Sequence, residues 1–108
     1  LKSLRVLIVP NLNPDGNEAV GNNRPEQNGP PAVGQRENAA GLDLNRDFVK
    51  LESPEIRALV RLVNEEKPLV IVDCHTTNGS AHRYTLTHDG PRHPAAGEAL
   101  VRFAHDTV

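Results

Sequence analysis

Two short β-branched runs on either side of one amphipathic segment constrain this chain more than any other feature. Residues 5–9 read Arg-Val-Leu-Ile-Val and close at Pro10, and residues 69–72 read Leu-Val-Ile-Val and lead into Asp73-Cys74-His75. A continuous apolar run of this length, rather than an alternating one, is the pattern of a strand covered on both faces. Between the runs, Ser53-Pro54-Glu55 offers a capping hydroxyl, a proline suited to the first helical position, and an acid at the positive end of the helix dipole. Ile56, Leu59, Val60 and Val63 then recur at i, i+3, i+4 and i+7, which predicts a helix over 54–66 with one apolar face, stopped by Lys67-Pro68. The order strand, loop, helix, strand implies a parallel crossover. The expected fold class is therefore α/β, part of a mixed, largely parallel sheet flanked by helices and incomplete at both ends. The second strand is expected over 69–74, residues 83–87 read as a further short strand, and 94–108 as a helix with Leu100, Phe103 and Ala104 turned inward.

Residues 11–41 break this pattern with Asn, Gly, Pro and scattered charge. Asn13-Pro14-Asp15-Gly16 and Asn28-Gly29-Pro30-Pro31 are turn signals. A polar loop of this length is rare in a compact domain and tends to be functional or disordered; over 21–34 a solvent-exposed linker is expected. Aromatic residues make up only 3% of the 108 residues and methionine is absent. That leaves few large groups to bury, so a stable core would need surface from elsewhere. The chain reads as the central portion, 1–108, of one larger domain.

Several function classes lose support at once. A formal charge of −2 with acids and bases interleaved gives no basic stripe for nucleic acid or an anionic membrane. No run approaches the ~20 apolar residues of a membrane span. A single cysteine excludes an internal disulfide framework.

Chemistry is expected where strands end, because ligands of open α/β sheets bind outside the carboxyl ends of the strands. Asn13-Pro14-Asp15-Gly16 follows the first run, Asp43-Leu44-Asn45-Arg46-Asp47 leads toward the helix, and Asp73-Cys74-His75 ends the second run. Taken singly, His75 fits a hydrogen-bonded turn histidine, and Arg46-Asp47 fits a surface ion pair worth at most ~1 kcal/mol. Cys74 alternates to the opposite face from His75 and is expected to be a buried, inert thiol. His88, His93 and His105 fit solvated positions, and His82-Arg83-Tyr84 an exposed loop close to the strand end.

In combination these landmarks resemble a known family. Asn13-Pro14-Asp15-Gly16, then residues 36–48 with Asp43-Leu44-Asn45-Arg46, then Ser53-Pro54-Glu55, then Asp73-Cys74-His75-Thr76-Thr77-Asn78-Gly79, look like successive motifs of the zinc carboxypeptidases of the M14 type, covering about residues 4–84. The resemblance implies a zinc-dependent hydrolase, a metallopeptidase that cleaves a C-terminal peptide bond. It implies that His75 is one of three protein ligands to Zn2+, at the ~2.0–2.1 Å usual for imidazole. Asn45 and Arg46 match the pair that holds the substrate's terminal carboxylate, a task suited to a guanidinium fork. Arg36 matches the arginine that stabilises the oxyanion of the scissile carbonyl. Asp43 matches a carboxylate that orients the first zinc-binding histidine. The His-x-x-Glu pair and the general-base glutamate of the family map onto no residue of this chain, so the 108 residues alone are expected to be catalytically inert.

The nearest alternative is a zinc acylase of the succinylglutamate desuccinylase and aspartoacylase type, acting on an acyl-amino acid. Asn13-Pro14-Asp15-Gly16 and Ser53-Pro54-Glu55 fit the peptidase pattern better. A non-catalytic peptide-binding module with the same fold is the alternative from another class. The 75–80 segment is similar to that of exported bacterial members, which implies a periplasmic or secreted location.

Overall fold

The computed structural model describes residues 3–24, 29–76, 83–87, 89–91 and 93–107. Among them the chain forms three α-helices: α1 (Pro14–Glu18), α2 (Pro54–Glu66) and α3 (Gly97–Thr107). Two 3₁₀ turns, Leu44–Arg46 and Pro94–Ala96, complete the regular structure.

Helix α2 starts where its side-chain chemistry requires. The Ser53 hydroxyl accepts from the Ile56 N–H at 3.3 Å, and Pro54 occupies the first helical position, where no backbone donor is needed. The helix ends at Lys67, whose left-handed backbone lets its N–H donate to the Val63 carbonyl at 2.9 Å, just before Pro68. Ile56 is fully buried and, with Leu44, makes up the apolar core among the described residues. Leu59, Val60, Leu62 and Val63 are half-buried. Part of that face borders a groove of about 220 Å³ shared with Val9 and Leu12. Arg5 is held to the last turn of α2 by an exposed ion pair to Glu66 at 2.8 Å, worth at most ~1 kcal/mol.

The α/β expectation is corrected here. No strand is present among the described residues; the only sheet-like pairings are isolated antiparallel bridges, Gly21 to Val33 and Glu37 to Asp43. The runs at 5–9 and 69–72 form no strand and have no backbone ladder partner among the described residues, with Ile8 at 80% and Leu69 at 101% exposure. The reason is physical: two parallel strands and one helix fall short of the three or more strands, covered on both faces, that make such a sheet stable. A radius of gyration of 16.3 Å agrees, against roughly 13 Å for a compact chain of this length. Residues 83–85 are bends and 86–87 irregular, so the expected short strand is not formed. Leu100 and Phe103 of α3, expected to face inward, are exposed, and Ala104 is half-buried. Cys74 is a free, exposed thiol rather than a buried one, because no sheet closes over its face.

Order is carried instead by polar brackets. Asn38, Asp47 and Ser53 are buried together with Leu44, Ile56 and Gly16. The Asn38 carbonyl oxygen of the side chain accepts from the N–H groups of Ala40 and Leu42, each at 3.0 Å, which folds the 38–42 turn with Gly41 at φ 72. Its amide donates to both oxygens of Glu55 at 3.2 Å, tying that turn to the first turn of α2. The flanks of the 21–34 loop are joined: Gly21 and Val33 exchange backbone hydrogen bonds at 2.9 Å, and the Asn23 amide donates to the Ala19 and Val33 carbonyls. No helix among the described residues is long and apolar enough to cross a membrane.

Candidate substrate-binding and metal site

The residues singled out from sequence fall into two groups. Arg36, Asp43, Asn45 and Arg46 come together around one carboxylate. Arg36 Nε donates to Asp43 Oδ2 at 2.5 Å, and the Asn45 N–H donates to Asp43 Oδ1 at 2.9 Å. The Arg46 charge also acts on Asp43. Burial alone would raise the Asp43 pKa, but the Arg36 hydrogen bond, the Asn45 N–H and the two guanidinium charges outweigh it and hold it below the usual carboxylate range.

This cluster is placed by the Asn-Pro-Asp-Gly turn, which forms α1. Asn13 Oδ1 accepts from the Gly16 N–H at 3.0 Å, and its amide donates to the Arg36 carbonyl at 3.1 Å. Asp15 Oδ2 accepts from the Ala39 N–H at 3.3 Å, and the Gln35 N–H donates to the Gly16 carbonyl at 2.8 Å. Gly16 sits so close to the Gln35 carbonyl that a Cβ there would collide with backbone. The turn thus holds the 35–39 segment from one side while Asp43 holds the Arg36 side chain from the other.

Both guanidinium groups keep donors to spare. Arg36 uses Nε on Asp43, and its two terminal nitrogens have no protein partner among the described residues. Arg46 donates from one terminal nitrogen to the Asn45 carbonyl at 2.9 Å and is otherwise exposed, as is the Asn45 side chain. Asp47, read from sequence as a surface partner of Arg46, does something else. It is buried, its Oδ1 accepts from the Glu52 N–H at 2.8 Å, and its Oδ2 accepts from the Ser53 N–H at 2.7 Å and the Ser53 hydroxyl at 2.6 Å. The Ser53 hydroxyl, opposed by burial and joined by those two N–H groups and the Arg57 charge, keeps the Asp47 carboxyl below its ordinary value.

These two depressed carboxylates fix a pH dependence. A carboxyl whose folded pKa lies below its unfolded value near ~3.9 contributes stability that is fully present above that value. The contribution is lost as pH falls through the lower, folded value. We therefore expect the N–H signals of Asn45, Glu52 and Ser53 to stay constant from neutrality down to about pH 4 and to move only in more acid solution. An NMR titration reads this directly, and a transition centred above pH 5 would contradict the bracketing.

His75 stands apart. One ring nitrogen, Nε2, lies 3.0 Å from Asp73 Oδ2, and the imidazole is 56% exposed. Among the described residues no hydrogen bond or ion pair joins it to the Arg36–Arg46 cluster, and no group of three His, Cys, Asp or Glu residues is arranged to hold a metal. An imidazole with one nitrogen tethered to a carboxylate and the other open fits one coordination position of zinc. His82 and His88 lie outside the described residues; Arg83 rests over the Tyr84 ring at 5.6 Å. His93 Nδ1 accepts from the Ala95 N–H and caps the turn before α3.

Comparison with known proteins gives these features a common origin. Residues 1–107 match the family described as zinc carboxypeptidase, and the chain belongs to that family. It is 32% identical over 109 residues to carboxypeptidase D of Mus musculus and of Rattus norvegicus, an alignment covering 90% of this chain and 8% of each relative. The Homo sapiens carboxypeptidase D aligns with the same identity and coverage. The chain thus spans less than a tenth of the length of these curated relatives. No solved structure matches it.

Proposed function

We propose that the protein carrying this segment is a zinc metallocarboxypeptidase and that this segment supplies its carboxylate clamp, its oxyanion donor and one metal ligand. The observation that carries the reading is the pairing of two arginines around Asp43, each with guanidinium donors left over, in a member of the zinc carboxypeptidase family. Asn45 and Arg46 receive the terminal carboxylate of a peptide, where a planar fork and an adjacent amide give bidentate recognition. Arg36, restrained by Asp43, directs its free N–H groups toward the oxygen of the scissile carbonyl. His75, whose other ring nitrogen is engaged by Asp73, would serve as one zinc ligand, with the remaining ligands supplied outside these 108 residues. When bound, zinc supplies Lewis-acid polarisation and a water of lowered pKa. Peptide is the expected partner, and export to the periplasm or medium belongs to the same reading, resting on residues 75–80.

The test is made on the full-length protein. Metal analysis should find zinc, peptide C-termini should be trimmed in a chelator-sensitive way, and His75→Ala should lower both zinc content and trimming at least tenfold, as loss of one of three ligands requires. Cell fractionation of the same strain reports its location. A zinc-free protein, or one whose trimming survives both chelator and His75→Ala, would end the proposal. Hydrolysis confined to acyl-amino acids would favour the acylase alternative.

A further inference from the structure

We propose that Asp47 is a positioning residue for the substrate carboxylate: by bracketing Ser53 and Glu52 it fixes the turn that presents Asn45 and Arg46. The inference rests on the reading that Asn45 and Arg46 form the clamp, and it concerns what holds them in place.

The Asn45-Arg46 pair lies in the 3₁₀ turn Leu44–Arg46, which is anchored unequally. Upstream, Asp43 caps it through the Asn45 N–H, and Leu44 is buried beneath it. Downstream the chain leaves through residues 48–50, all exposed, with Val49 at 92%. Packing alone therefore gives the outgoing end of the turn no fixed direction. Asp47 supplies it. Its backbone N–H closes the 3₁₀ turn on the Leu44 carbonyl at 3.2 Å, and its carbonyl accepts from the Leu51 N–H at 2.7 Å. Its carboxylate then takes the N–H groups of Glu52 and Ser53 and the Ser53 hydroxyl. That hydroxyl also caps α2 through the Ile56 N–H. One side chain thus joins the turn bearing Asn45 and Arg46 to the fully buried Ser53 and, through its cap, to Ile56.

Two further details show that the connection is specified. Leu51 is held at φ 56, a conformation a branched residue adopts only when its surroundings require it. Arg57 donates to the Leu51 and Glu52 carbonyls at 2.9 and 2.6 Å, which locks the same loop from the helix side. The exposed side chains of Asn45 and Arg46 contribute little to this order, so the bracket acts on them rather than being held by them.

A carboxylate-specific readout separates positioning from general support of the fold. Binding of an N-acetylated dipeptide and of its C-terminal amide is measured by calorimetry on the zinc-loaded full-length protein. In Asp47→Ala the preference for acid over amide should fall by about tenfold to a hundredfold, the size of effect that weakening hydrogen bonds to a charged carboxylate produces. Asp47→Asn, which keeps one acceptor, and Ser53→Ala, which removes one donor, should each lose less, and amide binding should hold in all three. If Asp47→Ala does not fold, Ser53→Ala decides. An unchanged preference in these variants beside a lost preference in Arg46→Ala would overturn the positioning role. An unchanged preference in Arg46→Ala would instead overturn the clamp reading, and the inference with it.

Discussion

Replacing Arg36 by alanine in the full-length protein should lower kcat/KM by about a hundredfold to a thousandfold, with zinc content and KM nearly unchanged. Loss of one donor aimed at a developing oxyanion costs about 2.7–4 kcal/mol of transition-state stabilisation, because that charge exists only at the transition state. The structure gives Arg36 the two properties this role needs. Its Nε is fixed by Asp43 and its backbone carbonyl by Asn13, while its terminal N–H groups stay open. A change confined to kcat would mark a transition-state contact, whereas a rise in KM alone would mark a residue that only binds substrate. Arg36→Lys sharpens the test. An ammonium keeps the charge beside Asp43, but its donors all leave one nitrogen and lack the fixed planar fork that spreads Arg36 between two partners, so lysine should recover little. Full recovery by lysine would mean that Arg36 serves Asp43 alone.

Ile56→Ala should destabilise the protein by about 2–5 kcal/mol, read from denaturant or thermal unfolding. Ile56 has no exposed surface, and it lies one turn beyond the Ser53 cap and beside the Asn38–Glu55 contact. Truncation there leaves a cavity bordered by hydrogen-bonded backbone, which collapses poorly, so the cost should sit above that of a half-buried position on the same face. Leu59→Ala is the comparison. Equal losses at both sites would mean that the apolar face of α2, rather than the junction at its first turn, carries the stability. Since that junction also carries Asp47, the Ile56 variant should loosen the 47–53 loop.

What the sequence disclosed and what it concealed divide along the range of the interactions. The start of α2 is legible because a capping serine, a proline and an acid act within four residues of one another. The Asp43-Leu44-Asn45-Arg46 motif is legible for the same reason: Asp43 folds the turn by accepting from a neighbour two residues away. Asp47 was misleading because adjacency to Arg46 suggests an ion pair, while its true partner lies six residues on. An acid a short loop ahead of a Ser-Pro helix start was the available signal. The Asn13 and Asp15 contacts to 36–39 span more than twenty residues, and no local pattern announces them. The strands failed for a different reason. Apolar runs at 5–9 and 69–72 register a capacity to pair, but pairing depends on neighbours and covering faces that a run does not itself encode. Cys74 followed the strands into error, since its expected burial presupposed the sheet.

The two bracketed loops differ in how much change of length they can absorb. The loop between Gly21 and Val33 is closed at its neck by backbone hydrogen bonds, and doubling such a loop costs only ~0.6 kcal/mol in closure entropy. Insertions or deletions there should leave the proposed clamp, Asn45 and Arg46, and the proposed oxyanion donor, Arg36, where they are. Between Asp47 and Ser53 a single added residue would pull the carboxylate off its three donors and turn Arg46 with it. Length changes in the first loop are therefore expected to be better tolerated than in the second, whose spacing is held by the reach of one aspartate.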